Sequence, residues 1–276
     1  LVDIALRDEN WGDLLETAHN VIDSNPEAYE LYEAMVYKGR ALFHLERYEE
    51  CITVMEELLK NKLPTEIKLK GNLQIALAKA KLGQFEESLN YLDRMQSRGE
   101  FASSAPAIRL EMGKIFELEG NVRKAEETYR NLAGDFPDSL ASKEAWYRVG
   151  MLLLDDLSNA DEAKKAFEEV KKNRAKSTES WVGDADIKIA QLDMLKKRIA
   201  AVEEAKTDSL KKAQARFALA ELYTFSFNKP DSALTQYIRI MEEAPETDYA
   251  VRSEYFIGLH KLRRENRFSN EADRAL

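Results

Sequence analysis

Apolar residues recur three and four positions apart along nearly the whole chain, and short polar or glycine-containing breaks cut that stripe into pieces. The spacing matches the 3.6-residue period of an α-helix, which turns such positions onto one face. No stretch alternates with period two for long enough to predict a strand, and no break exceeds about eight residues, an ordinary length for a connection in a compact fold.

The helical pieces pair up. First members are predicted at 28–45, 65–82, 104–119, 139–156, 178–194, 209–226 and 247–265. Second members are predicted at 47–60, 85–98, 122–134, 160–173, 196–206, 230–243 and 268–276. Ahead of them, residues 1–8 read as the tail of a truncated first helix and 11–24 as its partner, ended by Asn25-Pro26. Ser139, Asp208-Ser209 and Pro230-Asp231 supply start signals, since a capping side chain or a proline suits the free N–H groups of a first turn. Gly83 and Gly120 stand between paired helices, where a left-handed residue ends the first one. Residues 173–180 are the one candidate joint.

The pairing is periodic. One small residue per first helix gives Gly39, Ala76, Gly113, Gly150, Ala185, Ala220 and Gly258, spaced 37, 37, 37, 35, 35 and 38 apart. One per second helix gives Cys51, Ser88, Ala125, Ala163, Ala200, Ala233 and Ala272, spaced 37, 37, 38, 37, 33 and 39. Pro26, Pro137 and Pro245 each precede a glycine of the first series by 13 residues. The physical expectation is close approach: antiparallel helices touch where both present small side chains, with larger residues filling the flanks.

This pattern resembles the tetratricopeptide repeat, whose signature is W-x2-L-G-x2-Y, then A-x3-F, then P. Gly113, Phe116, Ala125, Tyr129 and Pro137 match it in order. Trp146, Val149, Gly150, Ala163 and Phe167 match with one extra residue in the turn, as do Leu219, Ala220, Tyr223, Ala233, Tyr237 and Pro245 with a similar insertion. Residues 178–206 depart from it, keeping Trp181 and Ala185 but lacking the second-helix aromatic. The resemblance implies an all-α, right-handed superhelical solenoid of about seven repeats. Its units would be a truncated repeat at 1–26, then 27–63, 64–101, 102–138, 139–176, 177–207, 208–245 and 246–276. The stretches from Pro137 to Gly150 and Pro245 to Gly258 are further similar to repeats of bacterial cell-envelope proteins. Examples are the lipoprotein of the outer-membrane-protein assembly machine and the periplasmic partner of the Tol–Pal system. That partial similarity implies a periplasmic or outer-membrane-associated place, with the cytoplasm as the alternative.

Composition narrows the partners. Of the 276 residues 44% are apolar and 33% charged, enough to bury a core, and the net charge is −9. Such a balance argues against nucleic acid, which demands a cationic surplus. No apolar run approaches the roughly 20 residues of a membrane-spanning helix. Cys51 is the only cysteine and sits in the repeat's small-residue slot, so it reads as a packing thiol. The start at Leu-Val-Asp reads as that of a processed chain or an excised fragment. His19, His44 and His260 lie on different repeats, and no zinc, phosphate-loop or nucleophile motif occurs. No catalytic residue, metal ligand or cofactor is therefore expected. Asp155-Asp156, Glu168-Glu169 and Glu203-Glu204 read as solvated faces, Trp146 and Trp181 as core, and Trp11 as packing on the truncated helix.

In a solenoid of this kind the first helices line the concave side. The positions three before and one after each small residue are Val36 and Arg40, Leu73 and Leu77, Leu110 and Lys114, Tyr147 and Met151, Phe217 and Glu221, Tyr255 and Leu259. One turn on lie Phe43, Leu154 and Thr224. Two readings fit this stripe: it packs against neighbouring repeats, or it grips an apolar peptide or amphipathic helix of another protein. The second reading names Arg40, Phe43, Leu77, Lys114, Tyr147, Met151, Phe217 and Tyr255 as partner-binding residues, with the two cations holding a carboxylate. The chaperone-tail clamp of the family needs Lys and Asn where Val36, Arg40, Leu73 and Leu77 stand, which argues against it. A self-assembling structural solenoid and the regulatory part of a larger enzyme are the alternatives.

Overall fold

The computed structural model describes residues 10–274 apart from 156, 174, 175 and 178, with side chains as far as 262. The truncated helix expected at 1–8 lies outside the described residues, as does part of the joint expected at 173–180. Among the described residues every regular element is helical, as the sequence pattern predicts. In order they are α1 (Trp11–Asp23), α2 (Ala28–His44), α3 (Tyr48–Leu59), α4 (Thr65–Lys81), α5 (Phe85–Gln96), α6 (Ala105–Leu118), α7 (Val122–Asp135) and α8 (Leu140–Leu154). Then follow α9 (Ala160–Lys172), α10 (Ser180–Glu204), α11 (Ser209–Phe225), α12 (Pro230–Glu243) and α13 (Asp248–Arg274). Short 3-10 turns at Gly99–Ser104 and Leu157–Asn159, which the periodicity does not predict, lead into α6 and α9. The chain divides into two compact units, Leu1–Val182 and Gly183–Leu276.

In unit one each helix packs on the next, from α1 through α9, and the first helices also pack on one another: α2 on α4, α4 on α6, α6 on α8. The turns explain how the chain reverses. The backbone N–H of Arg47 bonds Leu42 O, Gln84 bonds Lys79 O and Asn121 bonds Phe116 O, each at 2.9–3.0 Å. The residue before each of these donors is left-handed: Glu46 (φ 60°), Gly83 (φ 79°) and Gly120 (φ 79°). This six-to-one bond closes the orphan carbonyls of the first helix and aims the chain back along it. Asn121 and Ser139 then cap the next helices by accepting N–H bonds from Lys124 and Ser142. Asn173, buried, donates to Pro137 O (2.7 Å) and Ser139 O (3.1 Å), tying the end of α9 to the proline turn before α8.

The close approach has a different partner from the one expected. A β-carbon built on Gly39, Gly113 or Gly150 would come within 3.0 Å of Met55, Tyr129 or Phe167, large residues of the second helix. The small second-helix residue sits one turn earlier and lets the backbones near each other: Ser88 Oγ, fully buried, donates to Ala76 O at 2.5 Å. Small residues therefore meet large ones across the hairpin, and the core interlocks. Cys51 is one of these packing residues. Burial pushes its thiol up to about 12, so the thiolate nucleophile is scarce at neutral pH. A thiol reagent is expected to leave native Cys51 unmodified and to react fully once urea unfolds the chain; fast native labelling would contradict this packing.

In unit two, α11 packs on α12 and on α13, and α12 packs on α13. Ala213, Phe217, Ala220, Ala233, Tyr237, Ile240, Ala244 and Ala250 make one core. Two helix breaks predicted from the repeat are absent. α10 runs from 180 to 204 without stopping near 195, and α13 runs from 248 to 274 without stopping near 266. Met194 to Ala201 and Leu262 to Arg274 contain no Gly or Pro, and strong helix formers dominate the first. With no returning helix, a β-carbon on Gly258 would meet nothing within 4 Å.

Candidate partner-binding face

The layer of first helices in unit one carries six of the sequence-derived residues. Phe43 and Leu77 are half-buried against the cores beneath them, and Val36 and Leu73 lie beside them. Tyr147 is half-buried, its ring 5.8 Å from that of Phe167 and 5.7 Å from that of Trp181. Met151 is 39% exposed and Arg40 is exposed. The face thus keeps a run of apolar surface whose lower halves are fixed by packing.

Its charges are arranged differently from the expectation. Lys114 Nζ lies 2.9 Å from Glu111 and 3.1 Å from Glu144. Arg148 lies 3.0 Å from Glu144 and 3.2 Å from Glu117. Two of these pairs, Lys114–Glu144 and Arg148–Glu117, span α6 and α8. Burial pushes the Glu144 carboxyl up, but Lys114 and Arg148 outweigh it and hold it below the ordinary carboxylate range. Lys114, expected to hold a ligand's carboxylate, already has two carboxylates of its own; its role is to join neighbouring repeats. Glu111, Glu117, Glu144 and Arg148 were not singled out from the sequence. The signal was there: Glu144 lies one helical turn before Tyr147, so it falls on the same face as Lys114 of the preceding repeat.

Arg40 has no carboxylate partner among the described residues and sits over the Trp11 ring at 5.8 Å, a cation–π contact. Trp11 in turn stacks on His44, rings 3.8 Å apart and 5° from parallel. Trp11, the first residue of α1, thus packs on α2; its expected contact with the truncated helix lies outside the described residues.

Phe217 and Tyr255 fall in unit two. Phe217 is 7% exposed and surrounded by Tyr237, Tyr249 and Phe256 at 5.5–5.9 Å. That corrects its expected role as a surface anchor: aromatic residues of α12 and α13 cover it, which a first-helix register cannot reveal. Tyr255 is 65% exposed and touches Phe256 edge-on. Among the described residues no group of three or more His, Cys, Asp or Glu is placed to hold a metal ion, and no helix is long and apolar enough to cross a membrane.

Comparison with known proteins agrees with the repeat geometry. Tetratricopeptide-repeat family models match residues 73–139 and 144–177. No curated protein matches the chain. Among solved structures, a thermophilic tetratricopeptide protein of Thermus thermophilus is 18% identical, covering 82% of this chain and 98% of its own at a TM-score of 0.40. The C-terminal part of a repeat-containing protein of Cytophaga hutchinsonii is 12% identical, covering 91% and 97% at 0.44. A tetratricopeptide protein of Parabacteroides merdae is 14% identical, covering 94% and 96% at 0.41.

Proposed function

We propose that this chain, a member of the tetratricopeptide-repeat superfamily, is a non-enzymatic scaffold that holds a peptide or amphipathic helix of another protein on the first-helix face of unit one. Repeats of this family generally mediate protein–protein contacts. One observation carries the finer reading. Among the described residues of unit one, successive first helices pack on one another and no two second helices do. Neighbours crowd on the inner side of a curved stack and spread on the outer side, which supports a concave first-helix layer. The apolar surface along that layer, from Phe43 through Leu77 to Tyr147 and Met151, then has the character of a groove for apolar anchors. Lys114 and Arg148 are paired, and Arg40, with no carboxylate partner among the described residues, offers a point for an acidic group at the α2 end.

The test uses peptides selected from a random display library against the wild-type chain. Met151→Glu puts a charge on the exposed part of the stripe without disturbing the core. Selected peptides are expected to carry spaced apolar anchors and to bind Met151→Glu about tenfold more weakly, a cost typical of one interface anchor. Equal binding by wild type and variant, with both melting alike, would remove the groove from consideration.

A further inference from the structure

Unit two contains a cleft of 390 Å³ that nothing in the first-helix reading uses. It lies where the end of α10, the turn after it, α11 and α12 come together. Its lining includes four cations (Lys206, Lys212, Arg216 and Arg239) against one acid, Glu203. On a chain of net charge −9 this is a local inversion of sign.

The four cations are not alike. Arg216 is 7% exposed, and its guanidinium makes a two-point bond to Glu243 (2.9 and 3.2 Å) and one to Gln236 Oε1 (3.0 Å). Lys212 lies 2.9 Å from the same Glu243. One carboxylate thus answers two cations, and a positive charge is left over in the wall. Desolvation pushes the Glu243 carboxyl up, but Lys212 and Arg216 outweigh this and keep it ionised. Among the described residues Lys206 and Arg239 have no ion-pair partner, and both are exposed. Ile199, Val202 and Leu219 supply an aliphatic wall.

We propose that this cleft binds an acidic peptide segment bearing an aliphatic side chain. Its carboxylates would pair with Lys206 and Arg239, and its side chain would lie on Ile199 and Val202. The volume falls within the range of small-ligand clefts, roughly 300–1,000 Å³. The lining selects for a peptide over a nucleic acid. It holds no aromatic ring on which a base could stack. Every lining residue belongs to unit two.

Lys206 allows a test in which folding and binding move apart. Its φ is 43°, a left-handed position where a side chain is strained by about 1–2 kcal/mol and glycine is not. Lys206→Gly therefore removes the charge while relaxing the turn. The probe is a fluorescein-labelled twelve-residue peptide of Asp and Glu around a central Leu, followed by anisotropy. Wild type is expected to bind it, and to lose about tenfold in affinity between about 50 and 300 mM NaCl as exposed charges are screened. Lys206→Gly and Arg239→Glu are each expected to lose about tenfold, the scale of one charge-assisted bond, with Lys206→Gly melting no lower than wild type. Met151→Glu is expected to bind the probe as wild type does. The proposal is overturned if wild type fails to bind, if a Lys-for-acid version of the peptide binds as well, if either rim variant binds unchanged, or if a single-stranded oligonucleotide binds more tightly.

Discussion

Gly113→Ala is expected to destabilise the chain by about 2 kcal/mol, seen as a lower midpoint in urea unfolding. A β-carbon there would lie closer than 3.0 Å to three atoms of the Tyr129 ring. Tyr129 is fully buried in the core with Leu110, Leu132, Ala145 and Val149, so the ring has nowhere to withdraw. Overpacking of this kind costs about 1–3 kcal/mol. The better helix propensity of alanine, about 1 kcal/mol, offsets part of it. Tyr129→Leu alone is expected to cost about 3 kcal/mol through the cavity it leaves. In the double variant the new methyl group enters that space, so the combined loss is expected to be smaller than the sum of the two. Strict additivity would show that residues 113 and 129 do not meet.

Glu144→Gln is expected to cost about 2 kcal/mol and to flatten the acid limb of the stability curve. Glu144 serves Lys114 and Arg148 together, and its side chain is only 21% exposed. Removing one charge from a mostly buried pair leaves the others uncompensated, at about 3–5 kcal/mol for full burial. Here Glu111 and Glu117 still answer the two cations, which reduces the loss. The sign with pH follows from the lowered folded-state pKa. The stabilisation is complete above the unfolded-state value, about 4.3, and disappears as pH falls through the lower folded-state value. Denaturant midpoints at pH 7 and at about pH 3 should therefore differ more in wild type than in the variant. Parallel losses would mean that the network does not hold α6 to α8.

Much of the fold is legible in the chain because each repeat uses the same local devices. Helix ends at 44, 81 and 118 fall within one residue of their predicted positions, since a left-handed residue and a capping bond stop the helix there. Glu46 shows that the turn imposes the conformation even where glycine is missing. The repeat period ceases to mark helix ends where those devices stop. Between 194 and 201 nothing ends a helix, so α10 runs on, although the small-residue series continues through Ala200.

The proposed binding face was legible only in register. Tyr147 and Phe217 occupy the same place, three residues before the small one, yet the first is half-buried and the second is enclosed by Tyr237, Tyr249 and Phe256. Likewise Lys114 stands where a free cation was expected, and Glu144 of the next repeat has already claimed it.

The amino-acid sequence by itself determined the helical class, the hairpin period and the small positions that let hairpins close, because these depend on residues near one another along the chain. Which large residue fills each small one's space, which face charges are spent on joining repeats, and where four cations gather around a cleft were decided only in three dimensions. Those outcomes depend on which side chain of another helix arrives first at a given surface, and sequence spacing carries no measure of that.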